Sequence, residues 1–289
     1  MKNFYFNIFN IFILILLTAP EIWSQNTFEI PGENNYITQL EYGVINWTKG
    51  KIYATGKAAP SEKQILKSSD YILNIAKTNA INNLILILKT INIGTGNTVE
   101  EYTFLNNNIM TGIQRQCMDA TIIKQHSSSN RAMEVVVETS MLGGFLQLVL
   151  PDEIGQIPQI ELIHPDKNKK KQQEYTGLIV DARFIDFKPV LFPIIVSEQG
   201  EEIYGSLFIS RNHAVEQGIC EYIYYSKDLN ILNLKTKRAG ENPIIIKGLR
   251  QRQERKSFIV VSRLDAEKIE KIIERHSFMK KCKVVILLD

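Results

Sequence analysis

The sequence predicts an α+β fold in two parts: an antiparallel sheet packed on one long helix, then a mixed α/β domain. Three observations carry that expectation. An amphipathic stripe of Ile65, Ile72, Ile75, Ala76, Ile81, Leu84 and Leu88 recurs at three- and four-residue steps. Two runs rich in Val and Ile, residues 175–183 and 190–196, read as buried strands. The chain closes on a strand–helix–strand unit: residues 258–262, 265–276 and 284–288.

The chain has 289 residues, 44% of them apolar, enough for two cores. Its formal net charge of +3 lacks the strong basic excess of a dedicated nucleic-acid binder. At the N-terminus Lys2 precedes an apolar stretch at residues 8–17, followed by Thr18-Ala19-Pro20. This pattern fits a secretory signal peptide over residues 1–25, the run being shorter than the roughly 20 residues of a spanning helix. An uncleaved N-terminal anchor is the competing reading. No cysteine lies near the exit, so the expected product is periplasmic, without lipid attachment at a lipobox cysteine and without a transmembrane span after cleavage. Export permits disulfides. Cys117, Cys220 and Cys282 allow either a Cys220–Cys282 bridge or three free thiols.

The first predicted domain covers residues 36–151. A polar leader precedes an alternating segment at 42–58, whose Lys49-Gly50 marks a bend, a bulge or a tight hairpin. Pro60-Ser61 opens the long helix, with Ser61 as its cap and Glu62 in its first turn. Ala76 and Ala80 are small enough to let the helix lie close on a sheet. Gly94-Thr95-Gly96 ends it. That loop follows a helix and lacks the further glycine and Lys-Ser/Thr of a phosphate loop, which argues against nucleotide binding. A second helix over 99–119 leads to a hairpin of 120–125 and 133–139 around a Ser-Ser-Ser-Asn tip, and residues 141–150 close the unit. Residues 152–174, with Pro158, Pro165 and a lysine run from Lys167 to Lys171, read as a linker. The run fits a solvated connector or a contact with anionic headgroups or polymer.

The second predicted domain covers residues 175–289. After its first two strands come a turn with Gly200, a helix over 212–229 carrying Val215, Ile219, Ile223 and Tyr224, and a short strand at 244–246. The closing strand–helix–strand unit implies a parallel pair joined by a right-handed crossover.

Chemistry-bearing clusters are sparse. His126, His164, His213 and His276 fall in different elements with no ligand spacing, so neither a metal nor another cofactor is expected. No nucleophile elbow or cysteine motif is present. Glu198, Glu201 and Glu202 read as solvated residues of a hairpin tip. Tyr175, Gly177, Asp181 and Arg183 are the conspicuous residues of the second domain. Asp181 and Arg183 are two apart on a strand and share a face, which suits gripping a ligand. The same pair suits fixing the loop at 184–188 by hydrogen bonds to backbone.

Three stretches carry a family resemblance: Tyr42-Gly-x-Ile-Asn-Trp with Gly50-x-Ile-Tyr-Ala, the helix with Ala76 and Ala80 followed by Asn83-Leu84, and Tyr175-Thr-Gly-Leu-Ile-Val-Asp-Ala-Arg. Together they resemble exported bacterial proteins related to small LPP-type lipoproteins and to the N-terminal module of the flagellar H-ring protein. The resemblance implies a dodecin-like first domain, a sheet wrapped around a long helix, and a non-enzymatic role with no catalytic residues to transfer. This chain departs from the pattern in lacking the lipobox cysteine and in placing Phe184 after Asp-Ala-Arg. The expected function is therefore a structural or assembly role in the cell envelope, with a tie to the flagellum. Expected partners are envelope proteins, with self-association and peripheral contact with membrane or cell-wall polymer, but no nucleic acid. The alternative is a periplasmic ligand- or polymer-binding module using the second domain.

Overall fold

The computed structural model describes residues 34–61, 68–94, 96–104, 106–152, 154, 175–206, 209–252, 255–273 and 277–289. The predicted signal segment, the stripe residue Ile65, Glu62, His164, His276 and all of the linker but Asp152 and Ile154 lie outside the described residues. Residues Gly32–Asp289 form one compact unit. The fold is α+β, as predicted, with an antiparallel sheet on a long helix followed by a mixed sheet.

The first sheet is antiparallel throughout, in the order β1 (Ile37–Leu40), β2 (Gly43–Asn46), β3 (Lys51–Ala58), β5 (Met133–Ser140), β4 (Thr121–Ser127). Alternation in β3 sends Ile52 and Ala54 into the core, where they meet Ile72, Ala76, Ala80 and Leu84 of helix α1 (Ser69–Thr90). Contact is closest at Gly56, where a Cβ would sit 2.1 Å from the Ala80 nitrogen and 2.2 Å from the Ala76 oxygen. Past the end of β2, the β3 carbonyls of Thr55 and Lys57 accept from the side-chain amides of Asn83 (2.7 Å) and Asn79 (2.9 Å). These asparagines therefore finish a strand edge that lacks a strand partner.

The helix cap is Ser68 rather than Ser61. Its backbone is extended and its hydroxyl accepts from the Tyr71 amide at 3.3 Å, which makes Ser68-Ser69-Asp70 the start signal. Replacing Ser68 by alanine is expected to cost about 1 kcal/mol in urea denaturation. The helix predicted over 99–119 is two helices, α2 (Val99–Thr103) and α3 (Asn107–Met118). Asn106 separates them because its side chain accepts from the Ile109 amide and restarts the helix. After β5 comes a short helix, α4 (Gly144–Val149), entered through Gly143 at φ 72°.

The second sheet has seven strands in the order β8 (Glu202–Tyr204), β7 (Ile194–Ser197), β11 (Arg255–Val261), β10 (Pro243–Arg252), β6 (Gly177–Asp181), β12 (Val284–Leu288), β9 (Glu221–Tyr224). Strands β10, β6, β12 and β9 are mutually parallel neighbours, β10 and β11 are antiparallel, and β11 runs parallel to β7. The closing strand–helix–strand unit is present, with α6 (Arg263–Ile273) between β11 and β12. The expected parallel crossover is not: β11 and β12 run in opposite directions with β10 and β6 between them. The cause is a hairpin hidden by charge. The sequence from Lys247 to Lys256 carries Arg250, Arg252, Glu254 and Arg255, yet the described residues on its two sides pair antiparallel as β10 and β11. The helix predicted over 212–229 stops early as well. Helix α5 (Arg211–Gln217) ends at Gly218, φ 79°, and the Ile- and Tyr-rich run after it contains β9.

The two sheets share one core. Ile52, Leu84 and Phe145 belong to the same buried cluster as Leu178, Val180 and Ile286. Backbone bonds stitch the halves: Leu191 N to Asn92 O (3.0 Å), Phe192 N to Ile93 O (2.9 Å) and Gly143 N to Val215 O (2.7 Å). On the β9 edge the Tyr224 amide donates to Asn34 O at 3.0 Å, and Asn35 bridges Ile223. None of the helices in the described residues is long and apolar enough to cross a membrane.

Candidate functional site

Strand β6 ends at Asp181, in register with Lys247 of β10 and Leu287 of β12, at the carboxyl end of the parallel strands. Ligands of open α/β sheets commonly bind at such ends. Here the position is filled by the protein's own Arg183. Its Nε and Nη2 donate to Asp181 Oδ1 and Oδ2, both at 2.8 Å, and its Nη1 donates to Ser226 O (2.8 Å) and Leu229 O (3.0 Å). Asp181 is 9% exposed and Arg183 5%. Four of the guanidinium's five N–H groups are thus engaged inside the fold. The loop the pair anchors is the one that follows β9, not residues 184–188.

Burial alone would push the Asp181 carboxyl up. Hydrogen bonds from the Arg183 side chain and amide, with the charges of Arg183 and Lys247, hold it below the usual carboxylate range. The guanidinium carbon lies 5.5 Å from the Phe184 ring centre and 5.4 Å from that of Tyr225. Phe184, more than half exposed, also meets the ammonium groups of Lys227 and Lys247 at 5.7 and 5.3 Å.

The start of the signature is a clamp on a turn. Tyr175 is half-buried just before β6. Thr176 Oγ1 donates to Ala239 O (2.7 Å) and accepts from the Asn242 amide (3.0 Å). At Gly177 a Cβ would meet Ala239 O at 2.5 Å and Lys283 O at 2.8 Å, so glycine is required by close approach. Glu198, expected to be solvated, accepts from the Arg263 amide at 3.1 Å at the start of α6.

A cleft of about 370 Å³ lies where the two sheets meet. The β2–β3 turn contributes Trp47, Thr48 and Gly50; Leu142 follows β5; Glu216 and Gln217 end α5; Cys220 precedes and Glu221 opens β9; Lys237 and Arg238 precede β10. Thr48 donates to Tyr222 O at 2.6 Å, and the Trp47 and Tyr222 rings pack edge to face at 5.9 Å. Arg238 is fixed by three carbonyls: Nε to Cys282 O (2.6 Å), Nη1 to Gln217 O (2.8 Å) and Nη2 to Gly218 O (2.6 Å). Desolvation raises the pKa of the half-buried Glu221, and the Arg238 charge opposes that rise in part. All three cysteines are free thiols. Burial pushes Cys220 and Cys282 up to about 12, so they do not ionise near neutral pH.

Sequence reasoning missed this cleft because it read residues 218–224 as helix, which scatters Cys220, Glu221 and Tyr222 around a cylinder. The usable signal was Gly218 followed by a run rich in Ile and Tyr, Ile219 to Tyr225. Residues 177–289, from β6 to β12, match the family described as Treponema pallidum Tp0624, second domain. That similarity takes in Asp181, Arg183, Glu221 and Arg238 and leaves out the first sheet and its helices. A search of curated proteins matches none.

Proposed function

We propose that the chain is a non-enzymatic exported protein of the bacterial cell envelope with a structural or assembly role, acting with envelope protein partners. The observation that carries this reading is how the buried polar residues are used. Asp181 and Arg183 bond to one another and to a neighbouring loop, and Thr176 and Arg238 bond to backbone groups of distant segments. Such contacts give a stiff two-sheet scaffold, which suits a component that holds other proteins in place. The resemblance to LPP-type lipoproteins and the flagellar H-ring module agrees with a periplasmic place and a tie to the flagellum.

The test is a chromosomally tagged full-length chain, fractionated and cross-linked in intact cells. Recovery from the periplasm with the same envelope proteins in replicate cross-linking is the expected result. Retention in the cytoplasm, or cross-links to no envelope protein together with unchanged motility on deletion, would overturn the reading.

A further inference from the structure

We propose that the cleft between the Trp47–Thr48 turn and the start of β9 binds a small zwitterion carrying both an ammonium and a carboxylate, that is, an amino acid or short peptide. This goes beyond the assembly role and does not depend on it.

The cleft's volume of about 370 Å³ falls in the range of small-molecule sites. Its charges are of both signs: Glu216 and Glu221 against Lys237 and Arg238. A purely anionic ligand drawn to the two cations would face the Glu221 carboxylate, and a purely cationic one would face Arg238. A ligand with both charges separated along its length meets neither repulsion. Two further features suit it. The three carbonyls that hold Arg238 account for three of its five N–H groups among the described residues, so the fixed guanidinium retains donors for a carboxylate. Glu221 is half-buried and accepts no hydrogen bond from the described residues, so an ammonium would offset its desolvation. Trp47 and Leu142 supply apolar wall beside these groups.

The experiment is isothermal titration of the full-length protein with three probes: L-alanyl-L-alanine, its N-acetyl derivative and its C-terminal amide. The free dipeptide is expected to saturate with a Kd of about 1 mM or tighter. Each blocked probe, lacking one charge, is expected to bind at least about tenfold more weakly, equivalent to about 1.4 kcal/mol. Glu221→Gln is expected to weaken the free dipeptide to the level of the N-acetyl probe, with an unchanged thermal midpoint showing an intact fold. No saturation by about 10 mM dipeptide, or equal affinity for free and blocked probes, overturns the proposal. The blocked probes are titrated against the unmodified protein, so the outcome does not depend on the variant folding.

Discussion

Replacing Asp181 by alanine is expected to lower the unfolding free energy by about 3–5 kcal/mol, measured by urea denaturation at neutral pH. The substitution strands the Arg183 guanidinium, 5% exposed, without its counter-charge and with two of its hydrogen bonds gone. The double replacement Asp181→Leu with Arg183→Met is expected to cost much less, because it removes both charges rather than one. A loss below about 1 kcal/mol for the single variant would show that the pair does not hold the fold. The pH dependence has a definite sign. The folded carboxyl titrates below its unfolded value, so the stabilisation is present above the unfolded pKa of about 3.9 and fades as pH falls through the folded one.

Gly56→Val is expected to cost roughly 3 kcal/mol or more, or to leave the first sheet without its helix. The position of Gly56 allows no side chain, since a Cβ there would overlap the α1 backbone at Ala76 and Ala80. No rotamer relieves an overlap with backbone, so helix and sheet must part, which opens the space around Ile72 and Leu84. Near-ultraviolet circular dichroism and denaturation report both effects. A variant as stable as the parent would mean that α1 can shift on the sheet at little cost.

The long helix and its small-residue contact were legible because Ala76 and Ala80 repeat on one face while Ile72, Leu84 and Leu88 supply the stripe. The buried strands β6 and β12 were legible for a similar reason: uninterrupted Val, Ile and Leu leave few alternatives. Two features were not. The β10–β11 arm is built largely of Arg, Gln and Lys, and its ladder rests on backbone bonds that composition does not report. Strand β9 hides within a helical pattern because Val215, Ile219 and Ile223 happen to fall at helical spacing, and only the conformation of Gly218 breaks it. For the site, the sequence located Asp181 and Arg183, and the ion pair lies where two residues on one strand face can meet. The reach of Arg183 to Ser226 and Leu229, over forty residues away in the chain, depends on the strand order.

That strand order has a consequence for how the chain matures. β12 is the last strand in sequence, yet it lies between β6 and β9. Until it inserts, β9 is held by the Asn34–Asn35 stitch and by Thr48 on the Tyr222 carbonyl but has no ladder partner from β12, and the carbonyl of Cys282 that steadies Arg238 is not in place. Closing the sheet therefore waits on pairings between segments about a hundred residues apart, a slow step governed by chain topology. A nick within residues 284–288 would undo the same step, releasing β9 and the cleft together.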